Sequence, residues 1–153
     1  MEFIQLVSGL SEATFQEIIA ASPRRIRETL FGRLGIKAKK KKIGMRVHGK
    51  LEDRTKKLHE RLKAGSSKQE NDLCEELVRN WLFGQRELLK ATLDHLGVEN
   101  DNGLIEEEPT FFTELEEDKV KDLVASLRAK GFADEPIRIY LTFVKTPHLD
   151  KAL

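Results

Sequence analysis

The chain has 153 residues, the size of one folding unit, with 39% hydrophobic and 35% charged residues and a formal charge of +1. Aromatic residues make up only 7% and there are 4 prolines, while Leu, Ala, Glu, Lys and Arg dominate, which favours a globular helical domain over a many-stranded sandwich or barrel. Cys74 is the only cysteine, so an intrachain disulfide and a thiolate metal cluster are both excluded and a reducing compartment is expected.

The first predicted helix opens at Ser11, a good cap, and places Phe15, Ile18 and Ile19 on one face before ending near Ala21. Ser22-Pro23 predicts a second start, with proline at the first helical position, where no amide hydrogen is left unpaired. Ile26, Leu30, Phe31 and Leu34 follow at helical spacing, and Gly35 suits a left-handed C-terminal cap. Residues 36–49 join four consecutive lysines to an alternation of Ile43, Met45 and Val47, and read as a loop, a short strand, a strained helix or a disordered arm. From Lys50 to Ala64 helical spacing returns as a thin stripe, Leu51, Leu58 and Leu62, in a field of charge. Such a helix lies on the rim of a bundle or projects from it.

Ser67 and Glu70 have the spacing of a capping box, and the helix they open is expected to run unbroken from about 68 to 96, where Gly97 stops it. Two adjoining apolar stripes, one through Leu77, Trp81 and Leu88 and one through Val78, Leu82 and Leu89, make this the centre of the bundle. Gly84 falls in its middle, where a close helix crossing would account for it. Residues 97–112 read as an acidic loop. A further helix is expected from Glu114 or Glu116 through Val120, Leu123 and Leu127 to Gly131. Asp134-Glu135-Pro136 then starts a last element, with helix preferred over strand at 137–144.

Charge is distributed unevenly along this order. Residues 24–68 hold 17 bases and 4 acids, and residues 69–118 hold 3 bases and 15 acids. A basic segment followed by an acidic one implies either that the two face each other or that they present opposite signs to partners. Arg33, Lys37, Lys39, Lys40, Lys41, Lys42, Arg46, Lys50, Arg54 and Lys57 are therefore the candidate partner-binding residues. Phe31 is the one aromatic among them and belongs to a core face, so contact with a phosphate backbone is a more natural use of the segment than base stacking.

Catalytic signatures do not emerge. There is no nucleophile elbow and no phosphate-cradling glycine loop, and His48, His59, His95 and His148 lack metal spacing and read as rim residues. Cys74, one turn from Val78, reads as a buried small hydrophobe. Around Gly103 a calcium loop fails, because Val98 falls where its first Asp is needed and Pro109 where its bidentate Glu is needed. Carboxylates such as Glu75, Glu76 and Asp94 beside His95 leave a small helical enzyme as the least favoured reading.

The segment Leu123-Val124-Ala125-Ser126-Leu127-Arg128-Ala129-Lys130-Gly131-Phe132, followed by Ile137 and Leu141, resembles the helix, Gly-Phe turn and helix of ubiquitin-associated domains and of the small repeats of the recombination-regulator family. The resemblance is confined to 123–141 and implies a helical hairpin, with no function attached. Taken together, the sequence predicts an all-α single domain over 1–153, five or six helices around the long one at 68–96. The expected role is a cytoplasmic, non-catalytic protein-interaction or regulatory module, self-associating or binding another protein. Sequence-nonspecific nucleic-acid binding through 24–63 is the alternative. No cofactor, metal or membrane span is expected.

Overall fold

A computed structural model describes residues 2–36, 51–64 and 68–153. The segment 37–50, with its expected strand or arm, and Ser67 of the capping box lie outside the described residues. Among the described residues the chain is all-α, and its contacts gather into two compact units, Met1–Trp81 and Leu82–Leu153. By sequence the first unit carries 18 Lys and Arg against 11 Asp and Glu, and the second 9 against 15. No described helix is long and apolar enough to cross a membrane.

The first unit contains α1 (Phe3–Ser8), α2 (Glu12–Ala21), α3 (Arg24–Arg33), α4 (Leu51–Lys63) and nearly all of α5 (Lys68–Phe83). Ser11 caps α2 as expected, its hydroxyl accepting from the Thr14 amide at 3.3 Å. Pro23 takes the N-cap of α3, one residue earlier than the first helical position the sequence suggested. α4 packs on α1 and α2. Phe15, Ile18, Ile19, Leu30, Leu58 and Leu77 are fully buried there, each contributing about 1.5–3 kcal/mol by leaving water.

The thin stripe of α4 is supplemented by two polar residues, Thr55 and the His59 that the sequence left on the rim. Thr55 is buried, its hydroxyl donating to the Leu51 carbonyl at 2.7 Å. His59 is only 5% exposed. Its ring stacks on Phe15 with centroids 4.4 Å apart, and Nε2 lies 3.0 Å from the Ser8 carbonyl oxygen. Stacking and a backbone partner make an imidazole acceptable where the spacing alone suggested exposure.

The expected single helix over 68–96 is two helices, α5 and α6 (Arg86–His95). Gln85 leaves helical geometry at φ −100°, ψ 47°, and its amide bonds to the Leu82 carbonyl at 2.9 Å. Arg86 Nε donates to the Phe83 carbonyl at 2.8 Å, occupying an acceptor that a continuing helix would have used. Gly84 therefore marks a break, and the close crossing invoked for it is unnecessary.

The second unit continues with a 3₁₀ turn (Thr110–Glu114), α7 (Glu117–Ala129), α8 (Asp134–Phe143) and α9 (Leu149–Ala152). α7 packs on α6, α8 and α9. The stretch 137–143 is helix. The hairpin through Gly131-Phe132 forms, with the Phe132 amide on the Leu127 carbonyl. Gly35, Gly97 and Gly131 all take positive φ at the stops read from the sequence, while Lys145, at φ 60°, closes α8 in the same way. Phe112, from the segment read as loop, is fully buried and meets Tyr140 edge-on at 5.9 Å.

Candidate functional site

Two described parts of the basic segment, α3 and α4, belong to the first unit. Ile26, Leu30 and Phe31 point one face of α3 into the core, which leaves its arginines and Glu28 on the others. Arg54 from α4 meets Glu28 in a two-pronged pair, Nη1 to Oε1 at 3.1 Å and Nη2 to Oε2 at 2.9 Å. Its guanidinium also lies 4.3 Å from the centroid of the Phe31 ring, and the side chain is only 14% exposed. The hydrogen bond from Arg54 holds the Glu28 carboxyl below its ordinary range, with Arg24 and Arg27 adding to that pull and burial opposing it.

Three further pairs interleave acid with base on this unit. Arg33 Nε reaches Glu70 Oε1 at 3.3 Å, where the Glu70 side chain is 8% exposed. Arg25 lies 3.8 Å from Glu76 and Lys56 lies 3.7 Å from Glu12. Arg61 donates to the Leu34 carbonyl and Arg27 to the Ser22 carbonyl. The pairs of Arg33 and Arg25 join the basic segment 24–68 to the first acids of segment 69–118, so the two segments do face each other at these points.

Of the ten candidate residues, Arg33, Arg54 and Lys57 are described. Arg33 and Arg54 are paired as above, whereas Lys57 is exposed and makes no ion pair among the described residues. Lys37, Lys39, Lys40, Lys41, Lys42, Arg46 and Lys50 lie outside the described residues. The acids at Glu28, Glu70 and Glu76 were not singled out as partners of this site. Each belongs to a different helix from the arginine it meets, so no periodic signal links the two in sequence.

The groups considered for catalysis are engaged elsewhere. Glu75 pairs with Arg79 at 2.7 Å and Glu76 with Arg25. In the second unit Asp94 pairs with Lys90 at 2.6 Å, and His95 Nε2 lies 2.9 Å from Asp122. Cys74 is fully buried, which together with the nearby Glu70 charge pushes its thiol up to about 12 and keeps it protonated at neutral pH. Arginines and Lys56 of α3 and α4 thus meet acids of α2, α3 and α5, with Arg54 and Glu70 largely buried and the Arg25–Glu76 and Lys56–Glu12 pairs at the surface. Compared with known proteins, the chain matches no family model, no curated protein and no solved structure.

Proposed function

We propose that this chain is a non-catalytic protein-interaction module of a reducing, cytoplasmic compartment, recognising its partner or a second copy through the charged face of α3 and α4. The observation that carries this reading is the interleaving of Arg54 with Glu28, Arg33 with Glu70, Arg25 with Glu76 and Lys56 with Glu12. A phosphodiester backbone offers one sign only, and on this face it would meet carboxylates beside each of these cations. A protein surface offers both signs, and complementary placement speeds encounter and sets register. The buried thiol of Cys74 fits a compartment that keeps thiols reduced.

Fluorescence anisotropy of labelled duplex and single-stranded oligonucleotides, from about 50 to 300 mM salt, tests the reading, with light scattering for mass. The expected result is no oligonucleotide binding at 50 mM salt, and a mass or partner affinity that falls with salt and with Lys57→Glu. Micromolar oligonucleotide binding with a steep negative salt slope would replace it with nucleic-acid binding through segment 24–63.

A further inference from the structure

The second unit holds a groove of about 700 Å³ between the end of α6 and the 3₁₀ turn. That size lies within the range of pockets that take small ligands. Val98, Leu104, Ile105 and Phe111 give it apolar walls, and Leu104 is 37% exposed, one of two large apolar residues so exposed among the described residues. Glu99, Asp101, Glu106, Glu107 and Glu108 complete the lining.

Two features bear on what this groove could hold. Its wall at 98–104 is fixed: Asn100 Oδ1 accepts from the Gly103 amide at 2.8 Å, and Asn100 Nδ2 donates to Asp94 at 2.9 Å and to the Val98 carbonyl at 3.0 Å. Asp101 and Leu104 pair through their backbones, and Gly103 sits against α6 so closely that a Cβ there would fall 2.7 Å from that of Leu89. Along 98–104 little ordering is left for a ligand to impose. The charge is also uncompensated. Asp94, Glu117, Asp122, Asp134 and Asp150 of the same unit each have a cationic group or His95 within 4 Å, whereas the five groove acids, like Glu87, Glu114, Glu116 and Asp118, have none among the described residues. Residues 91–118 contain ten acids and no Lys or Arg.

We propose that this groove docks a lysine-rich segment of a partner protein, apolar side chains on its walls and ammonium groups against its carboxylates. The inference rests on the reading of the chain as a protein-interaction module and gives that module a second, acidic surface. No three His, Cys, Asp or Glu side chains among the described residues converge to hold a metal ion, so the acids line the groove without meeting at a point. The apolar walls then demand more than a bare cation, because a polyamine would leave them wet.

The test uses a labelled synthetic peptide, Lys-Lys-Leu-Lys-Ile-Lys-Val, which has the four charges of tetralysine together with apolar side chains for the walls. Its anisotropy is measured against the full chain at 50 and 300 mM salt, beside tetralysine. We expect micromolar binding at 50 mM that weakens about tenfold by 300 mM. Tetralysine is expected to bind at least tenfold more weakly. Glu107→Gln with Glu108→Gln should weaken the peptide about tenfold and Leu104→Ala about fivefold, whereas Glu52→Gln with Asp53→Asn in α4, an equal change of charge, should leave it within twofold. These are exposed positions, so circular dichroism is expected to be unchanged. Equal affinity for tetralysine, or a peptide affinity indifferent to Leu104 and the two glutamates, would overturn the site. An oligonucleotide bound by the first unit would instead overturn the broader reading, so the two failures are separable.

Discussion

Replacing Gly103 by alanine tests how the acidic loop is held on α6. The backbone at Gly103 has φ +87°, which costs an L-residue about 1–2 kcal/mol. The added Cβ would lie 2.7 Å from Leu89 Cβ, 3.0 Å from the Lys90 amide nitrogen and 3.1 Å from the Arg86 carbonyl oxygen. All three are backbone or first side-chain atoms of a helix and have no rotamer into which to retreat, so the loop must back away. Retreat breaks the bond from the Gly103 amide to Asn100 and the Asp101–Leu104 pairing, each worth about 1 kcal/mol. Gly103→Ala should therefore destabilise the chain by about 3–4 kcal/mol in urea unfolding. Gly97 is the control, because it shares a positive φ, 71°, and a methyl added there would meet nothing within 4 Å, so Gly97→Ala should cost about 1 kcal/mol. Amide exchange at Gly103 and Leu104 should accelerate in the first variant only. Costs for the two substitutions that cannot be told apart in urea would refute the claim of close approach.

Three other expectations concern the first unit. Arg54→Ala removes both prongs to Glu28 and the contact with Phe31 from a largely buried position, and should cost about 2–3 kcal/mol in urea unfolding, with Arg54→Lys recovering only part. Burial first, and then the charge of Lys63, depress the titration of His59 below its ordinary 6.5, against the opposing pull of Ser8, Glu12 and Val7. The unfolded chain then takes up this proton first, so the stability tied to neutral His59 is complete above about pH 6.5 and declines as the pH falls below it. His59→Gln should flatten that part of the decline between urea midpoints measured at pH 7.5 and 5.5. Finally, Cys74 should resist a thiol reagent in the native chain and react at the rate of opening, seen as labelling that accelerates with added urea; immediate stoichiometric labelling without urea would contradict its burial.

What the sequence revealed and what it concealed follow from the range of the interactions concerned. α2, with its Ser11 cap, and the glycine stops at 35, 97 and 131 are set by neighbours within a turn, and they appear where spacing places them. The break after Phe83 escaped because both flanks keep helical spacing, and the deciding contact is a single side chain, Arg86, turning back to a nearby carbonyl. Phe112 was hidden by acidic neighbours, and its burial depends on Tyr140, which a later helix, α8, brings to it. His59 looked like a rim residue until Phe15 and Ser8, from two other positions in the unit, supplied its surroundings. The candidate face was legible as a sum of charge but not as pairs: Arg33 and Arg54 were named for their sign, and the acids that hold them come from distant helices.

The division of formal charge between the two compact units has a consequence at the bench. Near its isoelectric point of about 7.8 the chain carries no net charge, yet one compact unit has an excess of 7 bases and the other an excess of 6 acids. A resin of either sign therefore finds a complementary patch at neutral pH, and the protein should be retained by both cation and anion exchangers in dilute buffer. The same patches attract between molecules when counterions are scarce. Solubility should accordingly be lowest in dilute buffer and rise on adding moderate salt, a salting-in that the charge total of +1 would not foretell.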